Sequence, residues 1–99
     1  MRIISKKKLS DFWTVHADSE QPLRALHEEF KRSAFTTPQD IKERYSSASF
    51  VGDNRVVLNI GGNKYRLVVF IRYDLQLCYI KFIGTHAEYD KIDVLTIEK

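Results

Sequence analysis

The apolar positions of this chain change period once along its length. From Lys6 to Ala17, Leu9, Phe12 and Trp13 recur at three-to-four spacing with Lys6-Lys7-Lys8 outside the stripe, which predicts an amphipathic helix. Asp18 and Ser19 interrupt it and offer N-caps for the next one. Glu20 and Pro22 in a first turn, followed by Leu23, Leu26, Phe30 and Ala34, predict a second helix with a clean apolar stripe. Thr36-Thr37-Pro38-Gln39-Asp40 is a third start signal: a threonine caps, proline fits the first helical position, and the aspartate faces the positive end of the helix. Ile41 and Tyr45, an i, i+4 apolar pair, carry that short helix to about Ser46.

After Ser46-Ser47-Ala48-Ser49, which reads as loop, the period becomes two. Arg55 to Ile60, Lys64 to Tyr73 and Gln76 to Thr85 are rich in β-branched and aromatic residues and are separated by Gly61-Gly62-Asn63 and Asp74-Leu75. They predict a three-stranded antiparallel meander. The middle strand sets Tyr65, Leu67, Val69, Ile71 and Tyr73 against Arg66, Val68, Phe70 and Arg72, so both faces are apolar at the centre. The third strand alternates Leu77, Tyr79, Lys81 and Ile83 against Cys78, Ile80, Phe82 and Gly84, and Gly84-Thr85-His86 leads into a short turn or helix through Tyr89. Arg2 to Ser5 is too short to decide a further strand, and the residues after Tyr89 either pair as an edge strand or hang free. The expected fold is therefore α+β: one domain, residues 1–99, with the N-terminal helices packed on one face of a three- to four-stranded antiparallel sheet. Leu9, Phe12, Leu23, Leu26, Phe30, Leu67, Val69, Ile71 and Ile80 are the expected core.

Composition narrows the setting. With 43% apolar residues, 4 glycines and 2 prolines, the chain is neither disordered nor collagen-like. Its single Cys78 cannot close an internal disulfide and fits a reducing, cytoplasmic compartment. No run has the length of a signal peptide or a membrane span, so no membrane partner is expected. His16, His27 and His86 are too scattered for a metal cluster, and no nucleotide-binding, zinc-protease or hydrolase motif occurs, so neither metal nor cofactor is expected.

Charge supplies the functional hint. Sixteen Lys and Arg against thirteen Asp and Glu give +3, with an isoelectric point near 9.1, where nucleic-acid binding becomes a fair suspicion. Between Arg55 and Lys91 the bases Arg55, Lys64, Arg66, Arg72, Lys81 and Lys91 outnumber Asp74, Glu88 and Asp90. Period two places Lys64, Arg66 and Arg72 on one sheet face. Such a face can grip a phosphodiester, with Arg55, Lys64, Arg72, Lys81 and Lys91 as RNA-binding candidates. An arginine aimed at the scissile phosphate stabilises charge that grows in the transition state. A histidine can move a proton near neutral pH, and a tyrosine can stack on a base or donate its hydroxyl. Arg66, His86 and Tyr89 thus supply the parts of a metal-independent ribonuclease in which the RNA's own 2′-hydroxyl attacks the adjacent phosphate. Each also has a plain structural use: Tyr89 as a lid on the sheet, Arg66 as a partner of Glu88 or Asp90, His86 as a helix cap. An RNA-cleaving protein and a non-catalytic module binding nucleic acid or protein through the same face both stay open.

Three segments, Ser47 to Val57, Asn59 to Val69 and Gly84 to Asp93, closely resemble in this order the HigB family of bacterial toxins, part of the RelE-like superfamily. Arg2 to Leu9, Gln21 to Leu26 and Thr37 to Tyr45 fit as well, so the likeness spans almost the whole chain. The resemblance implies a RelE-like toxin fold and an mRNA endoribonuclease that acts on ribosome-bound mRNA and so inhibits translation. It also implies a HigA-like antitoxin with a helix-turn-helix domain, through which alone the complex reaches operator DNA. Carried over by position, the catalytic candidates are Arg66, His86 and Tyr89, whereas Lys64 and Lys81 rest on the sheet-face argument alone. His27 departs from the large aromatic residue expected on the second helix, which bears on helix packing.

Overall fold

A computed structural model describes residues 1–98. The first two helices form where their apolar stripes predict: α1 is Lys7–Val15 and α2 is Glu20–Arg32, joined by a 3₁₀ turn at Ala17–Ser19. Leu9, Trp13, Leu23, Leu26 and Phe30 are buried. Phe12, expected in the core, is only partly buried, because it lies at the flank of the sheet and stacks on His16 with ring centroids 4.3 Å apart. Neither Asp18 nor Ser19 caps α2. The 3₁₀ turn carries helical backbone straight into α2, so Ser19 instead donates its hydroxyl to the His16 carbonyl at 2.7 Å. Helix α3, Pro38–Arg44, starts as predicted: Asp40 N donates to Thr37 Oγ1 at 3.3 Å and Thr37 N donates to the Asp40 carboxylate at 3.2 Å. Ile41 is buried, and Arg44 and Tyr45 both bond the Glu29 carboxylate, tying α3 to α2.

The strands are β1 (Arg2–Ile4), β2 (Ser49–Gly52), β3 (Arg55–Ile60), β4 (Tyr65–Arg72) and β5 (Leu77–Thr85), in the order β1-β5-β4-β3-β2. The antiparallel meander β3-β4-β5 matches expectation, and one strand is added at each edge. Residues Arg2, Ile3 and Ile4 pair in parallel with Leu77, Cys78 and Tyr79. Parallel pairing needs a long crossover, which the helical half of the chain provides. Strand β2 begins in the stretch read as loop. It pairs antiparallel with β3 through a two-residue turn, Asp53 (φ 51°) and Asn54 (φ 57°), both left-handed as a tight hairpin turn requires.

One face of the sheet packs Val56, Leu58, Ile60, Leu67, Val69, Ile71, Cys78 and Ile80 with the helices. Along β5 the predicted alternation fails after Ile80. Ile80 pairs with Val69 and Phe82 with Val68, leaving Lys81 as the extra residue of a β-bulge. Ile83 therefore joins the helix-side core, while Phe82 and Gly84 move to the opposite face with Leu77 and Tyr79.

That opposite face carries no helix at its centre, yet Val57 is 4% exposed and Val68 0%. Across this face runs the C-terminal segment, which neither pairs as a strand nor hangs free. Arg55, itself 3% exposed, donates from Nη1 to the carbonyls of Val94 (3.0 Å) and Ile97 (2.7 Å). Leu95 approaches Gly52 of β2, and Lys81 Nζ donates to the Glu98 carbonyl at 3.1 Å. The segment thus straps the sheet from β2 to β5. Among the described residues no helix is long and apolar enough to cross a membrane.

Two substitutions separate the two covers. Leu67→Ala, at a fully buried central position, is expected to cost about 2–5 kcal/mol in urea unfolding. Arg55→Ala is expected to cost about 1–3 kcal/mol. It should also speed hydrogen exchange and proteolysis at residues 94–98 while the amides of β3 to β5 stay protected. Unchanged exchange in the strap would show that Arg55 does not hold it.

Candidate active site

Arg66 lies near the start of β4, directly across from Gly84 of β5. Its guanidinium donates only to nearby backbone, from Nη1 to the Asn63 carbonyl at 3.1 Å and the Tyr65 carbonyl at 3.3 Å, and it forms no ion pair among the described residues. Neither Glu88 nor Asp90 takes it. Glu88 is engaged in a capping box at helix α4, His86–Tyr89: Thr85 N donates to Glu88 Oε1 at 2.8 Å, and Glu88 N to Thr85 Oγ1 at 3.2 Å. The cap is thus Thr85, and His86 is left as the first helical residue. Its backbone N donates to the Lys64 carbonyl at 3.2 Å, which ties α4 to the start of β4. Its Nδ1 lies 3.2 Å from Asp90 Oδ2 on an exposed surface. Nε2 has no protein partner among the described residues. Tyr89 is partly buried and its hydroxyl is likewise unpartnered among them.

Gly84 is required here for space. A Cβ at this position would lie 2.5 Å from Phe82 Cζ and 3.0 Å from Glu88 Oε1. Its absence lets the Phe82 ring fold back over the strand beside Arg66 and lets Glu88 reach the helix start. Arg66, His86 and Tyr89 are therefore gathered at one end of the sheet by the β4–β5 register and the α4 cap.

The other basic candidates disperse. Arg55 lies beneath the C-terminal strap. Lys64 leaves the predicted face, because the turn before it, with Gly61 (φ 61°) and Gly62 (φ 72°) left-handed, takes it out of the strand alternation. Its Nζ sits 2.5 Å from Asp18 Oδ2, and Tyr65 donates its hydroxyl to Asp18 Oδ1 at 2.5 Å. The Lys64 and then the Tyr65 hydrogen bond hold the Asp18 carboxyl below the usual carboxylate range, and the same contact raises the tyrosine. Arg72, at the far end of β4, makes a two-armed contact with Asp74 at 3.1 and 2.9 Å. Lys81 is the bulge residue. Lys91 is exposed and without an ion pair among the described residues. Burial pushes the Cys78 thiol up to about 12, so it is no nucleophile. No group of three metal-type side chains forms among the described residues. His27 is partly buried against α1, and its pKa is lowered, first by burial and then by Lys6.

Beside the Arg66 end runs an open groove of about 450 Å³ whose apolar wall is Phe12, Val15, Phe82 and Ile83, with His16 and Glu88 at its rim. Sequence reasoning missed it, since it is assembled from α1, β5, α4 and the C-terminal strap and has no local signature.

Residues 19–92 match the family of HigB toxins, described as the RelE-like toxic component of a toxin-antitoxin system. The chain belongs to the HigB toxin family. It is 32% identical over 92 residues to the mRNA interferase toxin HigB of Escherichia coli K12, covering 91% of this chain and 88% of that protein. An mRNA interferase HigB from Shigella flexneri matches equally over the same shares. One from Escherichia coli O6:H1 is 30% identical over 94 residues, 93% of this chain and 91% of that one. In this HigB-family chain the matched span includes β2 to β5 and α4, and so all three catalytic candidates.

The Asp18 contact has a pH signature. Its folded-state pKa is depressed, so its contribution is complete above the unfolded value of about 4 and is lost as pH falls through the lower folded value. Asp18→Asn is expected to melt below wild type at pH 7, with the gap narrowing as pH is lowered from 7 through about 4 and below. A constant gap across that range would remove the ion pair from the account.

Proposed function

We propose that this protein is the toxin of a toxin-antitoxin pair, an endoribonuclease that cleaves mRNA at the end of the sheet where Arg66, His86 and Tyr89 meet. The observation that carries the placement is the Arg66 guanidinium, half-exposed beside α4 and without an acidic partner among the described residues. A cation left without an acidic partner is suited to an anionic ligand. The relatives' names, mRNA interferases, support the substrate class and disfavour a purely binding module.

In the reaction the 2′-oxygen forms a bond to the adjacent phosphorus while the bond to the 5′-oxygen breaks. The 2′-hydroxyl proton leaves to a base, and the departing 5′-oxygen takes one up. Arg66 stabilises the charge that grows on the phosphoryl oxygens. His86, whose Nδ1 lies 3.2 Å from Asp90 Oδ2, has Nε2 available to carry one of the two protons. Tyr89 presents a hydroxyl for the other or a ring on which a base stacks. The pH profile of His86→Ala and the loss of the hydroxyl in Tyr89→Phe would assign these parts.

The same reading takes ribosome-bound mRNA as substrate and the cytoplasm as compartment. Its partner is a HigA-like helix-turn-helix antitoxin that holds the toxin inactive and carries the pair to operator DNA. Induced without the antitoxin, the protein is expected to stop growth by inhibiting translation. Normal protein synthesis at high toxin levels would count against the proposal.

Arg66→Ala is expected to slow single-turnover cleavage of ribosome-bound mRNA by roughly two to three powers of ten, the scale of one preorganised electrostatic donor. Folding should change little, since its bonds are to local backbone. His86→Ala should lower the rate and flatten its pH dependence, while Tyr89→Phe separates a hydroxyl role from stacking. Wild-type rates in all three folded variants would place the active site elsewhere.

A further inference from the structure

The bulge in β5 leaves Lys81 out of the alternation and aims it across its own sheet face. Its Nζ lies 5.5 Å from the centre of the Tyr79 ring and 5.8 Å from that of Phe70, and the two rings are 5.9 Å apart. Both rings are partly exposed on the face that also bears Arg66. Tyr79 and Phe70 are cross-strand partners, so they form a small platform of two π-faces with a cation over it.

A second lysine reaches the same place from another element. Lys8 of α1 forms an ion pair with the Glu98 carboxylate, and Lys81 donates to the Glu98 carbonyl. Two ammonium groups thus converge on one residue of the strap. Glu98 is held there with φ at 54°, a left-handed conformation that a residue bearing a Cβ adopts against its steric preference. Glu98 is therefore a constrained contact that supplies oxygen acceptors to Lys8 and to Lys81, the latter beside two rings.

We propose that Lys8, Lys81, Phe70 and Tyr79 form a second nucleotide subsite for single-stranded RNA, whose phosphate position Glu98 fills in the free protein. The inference rests on the reading of this face as the RNA-binding side. Carboxylate and carbonyl oxygens offer the lysines what phosphodiester oxygens would, and stacking rings beside cations are how single strands are held without sequence-specific contacts. Phe70 stands four residues along β4 from Arg66, about 13 Å at roughly 3.3 Å per residue, so the subsite takes a nucleotide a few positions from the scissile phosphate. RNA entering it displaces the end of the strap, and the subsite then helps to set which phosphate reaches Arg66.

The test is the affinity of a fluorescein-labelled, single-stranded 2′-O-methyl RNA, which lacks the attacking hydroxyl, for full-length protein over a range of salt. Glu98→Gln is expected to bind roughly fivefold more tightly, the scale of one exposed ion pair released. Its log–log salt slope should steepen by about 0.7 for each phosphate newly engaged. In that background Lys8→Gln should reverse the gain, whereas in the wild type, where Glu98 already neutralises Lys8, it should cost less. Tyr79→Leu should weaken binding by Glu98→Gln without altering the salt slope. The proposal is overturned by equal affinity of Glu98→Gln and wild type, by an equal cost of Lys8→Gln in both backgrounds, or by no RNA binding in any variant. Competition by polyglutamate with Tyr79→Leu inert would assign the lysines to an acidic protein segment and overturn it too. The underlying reading fails separately: if Arg66→Ala cleaves ribosome-bound mRNA like wild type, the site itself is misplaced, whereas impaired cleavage with an inert Glu98→Gln removes the subsite alone.

Discussion

Strand β4 is paired with a neighbour on each edge and is buried along its helix-side face and at Val68 on the other, and every other feature is placed by it. Leu67, Val69 and Ile71 seat the helices on one side, and the C-terminal strap runs across the other. The pairing of Arg66 with Gly84 then fixes where α4 can start, and the bulge opposite Val68 and Val69 decides which side chains of β5 share a face with Arg66. A one-residue slip of that register would send each of these side chains to the wrong side. The chemistry proposed here is thus set by backbone pairing more than by any contact among the catalytic candidates themselves.

What was legible in the sequence follows the range of the forces involved. Periodicity located α1, α2, α3 and the meander because each buries a continuous stripe, and Thr37 and Asp40 marked the start of α3 because a cap is a contact over three residues. The Ser19 cap was wrong for a nonlocal reason: Asp18 is drawn to Lys64 and Tyr65, 46 and 47 positions away, and the intervening turn stays helical. Strand β2 carries a local signal in Asp53-Asn54 between Phe50-Val51 and Val56-Val57, two residues suited to left-handed backbone flanked by β-formers. The bulge at Lys81 left no such mark, since both alternations of β5 are apolar.

Of the site, the Arg66, His86 and Tyr89 end was visible through the family resemblance, and the structure brings these residues onto neighbouring elements. The wider basic face was not what period two suggested. Formal charge counts Arg55, Lys64, Arg72 and Lys81 alike, but in the fold each meets a specific partner: strap carbonyls, Asp18, Asp74 and the Glu98 carbonyl. A net charge of +3 therefore says little about where an anion would be drawn. The cation that keeps no acidic partner among the described residues beside α4 says more.

Cys78 gives the molecule one further property. It sits in the central layer beneath the helices, bonded through its strand on both sides, and its thiol stays protonated throughout the physiological range. A thiol-directed label therefore cannot react with the folded protein at an appreciable rate. Alkylation can proceed only in the instants when β5 parts from its neighbours, so the chain's single sulfhydryl acts as an internal clock for the opening of the sheet, with no probe having to be introduced.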